Sequence, residues 1–241
     1  MEMPEFFSRV KEFFLNLFFP LNCLNCQREG SYLCEDCFAL IDFSINQYCP
    51  FCRPPKIVLD GKACYFCRKD RNLTGLFSAA SYQNFIIKKA ISQFKYGPCV
   101  KTLAKTLASL IVHHLQLIEK QASFSQAILI PVPLTKKKQK QRGFNQAEEI
   151  GKELSKFLKI PLVNNVLTKI KETLPQVELS GKERGENIKG VFLCKNPDAV
   201  RGKKILLVDD VFTTGSTMEE CARVLKIADA REVWGVVIAR E

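Results

Sequence analysis

The chain is 241 residues long, which allows one main domain and a smaller one, and 46% of its residues are hydrophobic. No apolar run approaches the length of about 18 residues that a membrane span needs, and the N-terminal charges do not fit a signal peptide. The formal net charge of +11 comes from residues 81–200, where 20 basic residues stand against nine acidic ones. A basic middle suits a polyphosphate or nucleic acid, although solubility alone would account for most of these lysines equally well.

Residues 1–20 predict an amphipathic helix with an aromatic face, ending at Pro20. We expect this face to pack on the rest of the protein. Contact with a partner or a second copy is the alternative. Binding to a membrane surface is the least expected role, because the polar side of the helix is not basic.

Four Cys-x-x-Cys pairs within residues 21–72 predict a double zinc ribbon. Eleven cysteines without a secretion signal favour metal ligands or thiols in a reducing, cytoplasmic compartment. Zinc binds four thiolates, each pair supplies two from one turn, and the short polar linkers need such a staple to fold. Spacing leaves a crossed arrangement open, but we assign the pairs sequentially. The predicted ligands are Cys23, Cys26, Cys34 and Cys37 for one ion and Cys49, Cys52, Cys64 and Cys67 for the other.

The ribbons are expected to be scaffolds or binding surfaces, because a closed four-cysteine site leaves no coordination position for chemistry. Aromatic residues with basic neighbours lie among the cysteines and could stack single-stranded bases. They could equally form the small core that such modules need, and we favour that role for most of them. These aromatics are Phe38, Tyr48, Phe51, Tyr65 and Phe66.

Residues 73–241 alternate apolar strands with amphipathic helices, which predicts an α/β domain with a mostly parallel sheet flanked by helices. The predicted strands are 76–82, 127–132, 162–167 and 232–239, and the predicted helices are 85–94, 102–118 and 146–158. A basic loop at 136–142 follows a buried strand, so it should lie where ligands bind in such sheets. His113 and His114 have no ligand partners in register, and we expect no metal there.

Residues 169–192 are polar, with isolated apolar residues and several turn formers. The length of this segment predicts a mobile flap over a site. Three further cysteines have no partners at ligand spacing and are expected to be packed thiols. They are Cys99, Cys194 and Cys221.

The segment 205–217 organises the rest of the chain. Four aliphatic residues at 205–208 predict a buried strand, and Asp209 and Asp210 follow where burial should end. Five small residues at 213–217 come next, and apolar residues at helical spacing continue from 218 to 227. A strand, a small-residue loop and a helix N-terminus together form a cradle for phosphate.

The two acids indicate which kind of phosphate ligand the loop binds. The loop has no lysine, unlike a Walker loop, and carboxylates repel a phosphate unless hydroxyls or a divalent cation lie between them. Ribose hydroxyls would satisfy the acids while the loop binds the 5′-phosphate. The order Asp-Asp-x-x-Thr-Thr-Gly-Ser-Thr at 209–217 resembles the phosphoribosyl-pyrophosphate (PRPP) loop of type I phosphoribosyltransferases.

Further motifs extend the resemblance over nearly the whole chain, which is identified as a member of the ComF (competence protein F) family. The cysteine pairs are followed in order by 94–96, 131–134, 142–146, 173–176, Arg184 with Asn187, and 209–217. The resemblance implies a double zinc ribbon fused to a type I phosphoribosyltransferase domain. Thr135 stands where the family usually has histidine, and the 136–142 loop has mostly lysine where the family has arginine. Lysine keeps the charge but loses bidentate phosphate contacts.

The resemblance also implies roles for individual residues. Asp209 and Asp210 would hold the ribose hydroxyls and favour positive charge at C1′. Lys95 and the 136–142 loop with Arg142 would balance the pyrophosphate together with Mg²⁺, and Arg184 on the flap would close over it. The 5′-phosphate would bind at Thr213, Thr214, Gly215, Ser216 and Thr217. Domain limits are expected at 1–20, 21–72 and 73–241.

Two functions of different classes follow from this resemblance. One is a competence protein that binds PRPP with Mg²⁺, acts in DNA uptake and contacts single-stranded DNA. Its partners could include an uptake helicase or a second copy of the chain. The other is an active phosphoribosyltransferase in nucleotide metabolism that releases pyrophosphate. The sequence shows no recognisable base-binding element, which weakens ordinary purine or pyrimidine salvage.

Overall fold

The computed structural model describes residues 21–97, 100–171 and 188–241. The chain forms two compact units, which meet in sequence between Asp42 and Phe43. The first unit, described from residue 21, contains one short helix, α1 (Glu35–Ala39), and four of the cysteines. Its turns are closed by backbone hydrogen bonds such as Cys23 N to Arg28 O, at 2.8 Å. None of the helices within the described residues is long and apolar enough to cross a membrane.

The second unit is built on a four-stranded parallel sheet, with the strand order β1-β6-β5-β2. The predicted α/β architecture, a mostly parallel sheet flanked by helices, is therefore confirmed. A separate antiparallel pair, β3 with β4, lies beside it. The strands are β1 (Gly75–Ser81), β2 (Ala127–Pro131), β3 (Leu167–Lys169), β4 (Phe192–Cys194), β5 (Lys204–Phe212) and β6 (Glu232–Arg240).

Within the part of the chain that the structure describes, five longer helices flank the sheet, and side chains cap several of them. Asn84 and Asn145 accept hydrogen bonds from first-turn amides of the helices that they precede. The helix at 100–117 packs on β1 and on the helix at 146–158, and the helix at 216–227 packs on β4 and β6. The helices are α2 (Phe85–Tyr96), α3 (Val100–Leu117), α4 (Lys136–Arg142), α5 (Gln146–Leu158) and α6 (Ser216–Ile227).

Three predicted elements differ from the structure. The strand predicted at 162–167 is wrong, because Leu162 makes one isolated bridge to Leu129 and a turn at 164–165 ends the pairing before β3. The basic loop at 136–142 is the helix α4, which Thr135 caps at its start and Gly143 ends with φ 78°. Strand β5 does not end at residue 208, because its ladder with β6 continues through Asp209 to Phe212.

His114 on α3 is buried, at 1% exposure, and is the clearest acid-sensitive group of the second unit. Its Nε2 lies 3.0 Å from Ser44 O and therefore carries the proton, while Nδ1 has no hydrogen-bond partner within the described residues. Burial outweighs the Ser44 contact and lowers the pKa of His114 to about 4. The protein thus holds this imidazole neutral, and charging it in the folded state is unfavourable.

We expect His114 to make the folded state less stable as the pH falls from about 6.5 towards 4. In that window the unfolded chain binds a proton that the folded chain does not, and above it the two states are alike. From the two pKa values, stability should fall by about 2 kcal/mol between about pH 7.5 and pH 5. Urea unfolding at both pH values measures the loss, and His114→Gln should reduce it by that amount. The same substitution at His113 is the matched control, since zinc ligands add their own acid dependence to all variants.

Candidate functional site

A polar cavity of about 240 Å³ lies at the carboxyl edge of the parallel sheet, where β2 and β5 end. Ligands bind at this edge in open α/β sheets. The cavity brings together Lys95, the two acids and the small-residue loop, which are far apart in the sequence. Its lining residues are Lys95, 132–134, Lys138, Lys169 and 209–218.

The loop between β5 and α6 needs glycine at position 215, because of both its backbone conformation and the space around it. Gly215 has φ 79°, and a Cβ there would lie 2.3 Å from the ring atom Cζ of Phe212. Gly215 is also the N-cap of α6, so the first-turn amides of that helix have no side-chain cap from it. Because residues 213–218 line the cavity, the N-terminus of a twelve-residue helix opens into it. Such a terminus stabilises a bound anion.

The two acids differ in their surroundings. Asp210 is 7% exposed, and its Oδ2 lies 2.5 Å from Lys95 Nζ, while its Oδ1 accepts a hydrogen bond from Val211 N. Asp209 is half-buried and accepts a hydrogen bond from Asp210 N at 2.9 Å. Burial and the neighbouring charge of Asp210 raise the pKa of Asp209 well above its ordinary value. A cation or a hydroxyl donor arriving in the cavity would therefore stabilise the ionised form of Asp209.

Lys95 is the ion-pair partner of Asp210. Burial opposes its charge, but attraction to Asp210 and Asp209 outweighs burial and raises the pKa of its ammonium. Lys95 stands in the last turn of α2, which ends at Tyr96, two residues beyond the end predicted at Phe94. The ion pair anchors this ammonium at the cavity wall, so a second anion on the cavity side would share it.

Lys169 is a cavity residue that sequence reasoning missed. It lies at the end of β3, opposite Phe192 in the antiparallel register, and its Nζ lies 5.6 Å from the Phe192 ring centroid. Burial, and then repulsion from Lys138, lower the pKa of its ammonium. An anion in the cavity would relieve that repulsion. The predicted flap begins at residue 169, but the sequence gives Lys169 itself no role, because the antiparallel pairing of β3 with β4 that positions it is not predicted.

Of the 136–142 segment, Lys138 alone lines the cavity. A helix presents only part of its surface to one neighbour, so α4 directs Lys138 and not the adjacent lysines to this wall. Arg142 is not among the lining residues, and its guanidinium lies 5.5 Å from the ring centroid of Tyr96. The flap was predicted at 169–192, and its residues 172–187, which include Arg184, lie outside the described residues, as does the helix predicted at 1–20.

The eight predicted zinc ligands form two clusters that follow the chain order. In each cluster the four sulfurs lie within 4.8 Å of one another, and the sulfurs of Cys52 and Cys67 are 3.7 Å apart. Tetrahedral zinc, with Zn–S bonds of about 2.3 Å, needs sulfurs about 3.8 Å apart, so the donor sets fit the ion.

The second cluster is tied to the end of β6. Arg240 Nη2 donates to Cys49 O at 3.1 Å and to Pro50 O at 3.5 Å. The Arg240 guanidinium lies 5.9 Å from the ring centroid of Phe212, the ring against which Gly215 packs. A continuous set of contacts therefore runs from the carbonyls of the second cysteine cluster to the loop of the cavity.

Comparison with known proteins agrees with this architecture. Residues 141–241 match the family model of the phosphoribosyl transferase domain. The chain is 40% identical to competence protein F of Haemophilus influenzae over 114 residues, which are 46% of this chain and 50% of that protein. It is 36% identical to the DNA utilization protein YhgH of Escherichia coli K12 over 108 residues, 44% of this chain and 47% of YhgH.

A third similarity is weaker in identity but longer. The competence protein ComFC of Bacillus subtilis is 26% identical over 199 residues, which are 80% of this chain and 77% of ComFC. The match to the first two relatives spans about half of their length. Taken with the cysteine clusters and the parallel sheet, these similarities make the chain a homologue of competence protein F, ComFC and YhgH, with a phosphoribosyl transferase domain over residues 141–241.

Proposed function

We propose that the protein binds PRPP with Mg²⁺ in the cavity of β5, α6 and Lys95, and acts in DNA uptake. The observation that carries the proposal is the juxtaposition of two acids, an open helix N-terminus and three lysines in one cavity. Each part matches one part of PRPP. The helix N-terminus suits the 5′-phosphate, the acids suit the ribose hydroxyls, and the lysines suit the pyrophosphate.

The donor set also fits Mg²⁺. The cavity offers carboxylate and hydroxyl oxygens, the hard ligands that Mg²⁺ prefers, and its remaining ligands would come from pyrophosphate and water. Bound there, the ion would neutralise charge on the pyrophosphate. The protein's own groups would fix the ligand: Asp209 would accept hydrogen bonds from the ribose hydroxyls, while Lys138 and Lys169 would balance phosphate charge.

A part in DNA uptake is supported by the names of the relatives, one of which is a competence protein and another a DNA utilization protein. The basic excess in residues 81–200 is suited to a nucleic acid, and contact with single-stranded DNA is part of the proposal. An uptake helicase or a second copy of the chain are the proposed protein partners. The two zinc ribbons would serve as scaffold or binding surface.

The alternative is catalysis of phosphoribosyl transfer. An acceptor nucleophile would form a bond to C1′ while the bond from C1′ to the pyrophosphate oxygen breaks, and pyrophosphate would leave with the electron pair. The three lysines that line the cavity support this alternative, because cationic groups would stabilise the negative charge that develops on the leaving group. The matched phosphoribosyl transferase domain supports it independently of any contact with DNA.

Calorimetric titration of the zinc-loaded protein with PRPP and Mg²⁺ tests the binding proposal. We expect saturable binding, weakened about tenfold or more in Lys138→Gln, because a charged hydrogen bond to phosphate contributes about 1.5–3 kcal/mol. Lys137→Gln is the matched control, since it removes the same charge from a neighbouring position that does not line the cavity. Absence of PRPP binding to the wild type would refute the proposal. If Lys138→Gln and Lys137→Gln weaken PRPP binding equally, the loss comes from net charge and not from a contact of Lys138 with the ligand.

A second titration separates the two functions. PRPP and Mg²⁺ are held constant while a single-stranded oligodeoxynucleotide is added, and released pyrophosphate is followed at the same time. Oligonucleotide binding with a steep salt dependence and no turnover supports the DNA-uptake function. Pyrophosphate release that depends on an added acceptor supports the transferase. If the oligonucleotide does not bind and no pyrophosphate is released, both functions are contradicted and only the binding of PRPP remains.

A further inference from the structure

Glu219, in the first turn of α6, makes three hydrogen bonds that the role proposed above does not use. Its Oε1 accepts from Asn72 N at 2.8 Å and from Asn72 Nδ2 at 2.9 Å, and its Oε2 accepts from Leu73 N at 3.1 Å. Both oxygens of one half-buried carboxylate therefore contact a segment that lies 147 residues earlier in the chain. Hydrogen bonds to a charged acceptor are about twice as strong as neutral ones, so they hold α6 to this segment.

One end of this link is the helix terminus proposed to bind the 5′-phosphate. Glu219 is not among the residues that line the cavity, but its backbone N–H donates to Gly215 O at 2.9 Å. This bond closes the first turn of α6 on the glycine of the phosphate loop. A carboxylate in that turn would repel a phosphate bound at the same terminus if it faced the cavity. The donors of Asn72 and Leu73 engage it outside the cavity and fix the turn that faces the anion.

The other end of the link leads to the ligands of the second cysteine cluster. Leu73 is followed by Thr74, whose O accepts a hydrogen bond from Ala63 N at 2.9 Å. Ala63 directly precedes the predicted ligand Cys64, and Cys64 N donates to the sulfur of Cys49 at 3.4 Å. Ala63 and these two cysteines pack together as a small buried core. The position of this segment therefore affects the backbone that carries two zinc ligands.

The link from Glu219 to the cluster is short, and every step in it is a hydrogen bond or a stretch of one to three residues of backbone. A rigid connection of this kind lets the ligand of one site bias the other site, and such coupling acts equally in both directions. The Arg240 contacts reach the same cluster by way of Phe212 and the end of β6. The Glu219 link differs from them because it begins on the helix whose N-terminus opens into the cavity.

We propose that Glu219 is a positioning residue that couples the phosphate-binding terminus of α6 to the second zinc site. It acts through residues 72–74, so that PRPP bound at α6 slows the loss of zinc from the second cluster, and zinc in that cluster tightens the binding of PRPP. The proposal deepens the proposed function and rests on it, because the coupling requires that PRPP occupy the cavity. The first zinc cluster, which belongs to the other unit, takes no part in this coupling.

Release of zinc to a chromogenic chelator, with and without saturating PRPP and Mg²⁺, tests the proposal. The zinc-loaded wild type is expected to release two ions, and Cys23→Ser with Cys34→Ser, which lacks the first site, identifies the ion of the second cluster. Glu219→Ala removes all three hydrogen bonds, and alanine is a good helix former. Glu153→Ala is the matched control, because it removes a helical carboxylate whose bond is to Lys156 on the same helix.

We expect PRPP to slow zinc loss from the second cluster by about fivefold or more in the wild type and in Glu153→Ala, and to leave the first ion unaffected. In Glu219→Ala this protection should fall to within about twofold, and the PRPP affinity should weaken about fivefold or more. Glu219→Gln keeps one acceptor oxygen for Asn72, so its protection should lie between the two.

A merely structural role of Glu219 would speed zinc loss by the same factor with and without PRPP. Full protection in Glu219→Ala and Glu219→Gln would therefore overturn the proposal, and so would equal protection of both ions in the wild type. The same conclusion follows if PRPP binds to the wild type but does not slow zinc loss. If PRPP itself does not bind, the proposed function has failed first.

Discussion

Replacing both Asp209 and Asp210 by asparagine should weaken the binding of PRPP with Mg²⁺ by at least about 100-fold, since each charged hydrogen bond that is lost costs about 1.5–3 kcal/mol. Asparagine keeps the size of the side chain and one acceptor oxygen but removes the charge that a ribose hydroxyl and a nearby cation favour. Calorimetry of the purified variant measures the loss. Asp198→Asn with Asp229→Asn is the matched control, because it removes two exposed acids and leaves the same net charge.

The single substitutions should differ, because the structure gives the two acids different partners. Asp209→Asn removes a half-buried carboxylate that faces the cavity, so its effect should be direct. Asp210→Asn also leaves Lys95 without its ion-pair partner, so its effect should depend on Lys95. Combining Asp210→Asn with Lys95→Met should then give an interaction energy of about 0.5–3 kcal/mol in PRPP binding. Additive losses would show that the ion pair does not position the ammonium, and unchanged affinity in the double asparagine variant would rule out the ribose assignment.

The phosphate-binding loop could be predicted from the sequence because its signals are local. Four aliphatic residues at 205–208 require burial, and the small residues at 213–217 allow close approach of a backbone to an anion. Where β5 ends was not predictable, because Asp209 and the residues up to Phe212 stay in the strand through pairing with β6, which begins 20 residues further along the chain. Tertiary pairing overrode the expectation that charged residues mark the end of a buried strand.

The lysines of the cavity show why a charge run is a weak predictor of contacts. Seven residues at 136–142 read as a basic loop, but Thr135 at the N-cap and Gly143 at the end make them a short helix. Helical geometry then brings Lys138 to the cavity and leaves Arg142 against Tyr96. Lys169 lies at the end of β3, which pairs with a strand more than 20 residues further along the chain. Such a pairing leaves no trace in a local pattern.

The cysteine clusters were predictable residue by residue, because zinc geometry restricts the spacing of its ligands. The link of the second cluster to the rest of the second unit was not predictable. Arg240 reaches the carbonyls of Cys49 and Pro50 from the opposite end of the chain, and Phe51 packs on the main core. The domain limits at 20/21 and 72/73 remain a prediction.

Removing the second zinc site should damage the PRPP cavity, whereas removing the first should not. Cys49→Ser with Cys64→Ser deletes two ligands, and a structural zinc site contributes several kcal/mol to folding. Without it, the carbonyls that hold Arg240 lose their position, and the contact of Arg240 with Phe212 beside the loop is lost. We expect the zinc content to fall from about two ions per chain to one. The unfolding midpoint should fall by about 10 °C or more, since 1 kcal/mol shifts it by about 2–4 °C in a chain of this size.

The single tryptophan provides the readout for the second unit. Trp234 is buried in β6 and stacks on Phe77 with ring centroids 5.3 Å apart, so its fluorescence reports unfolding there. Cys23→Ser with Cys34→Ser is the matched control, because it removes the same two ligands from the cluster of the first unit. Its zinc content should also fall by one ion, while the Trp234 transition and PRPP affinity stay at wild-type values. Arg240→Gln should keep both zinc ions yet weaken PRPP binding, which separates the contact from the metal. If the second-cluster variant binds PRPP as the wild type does, the contacts from the zinc ribbon through Arg240 to the phosphate loop contribute nothing to the free energy of PRPP binding.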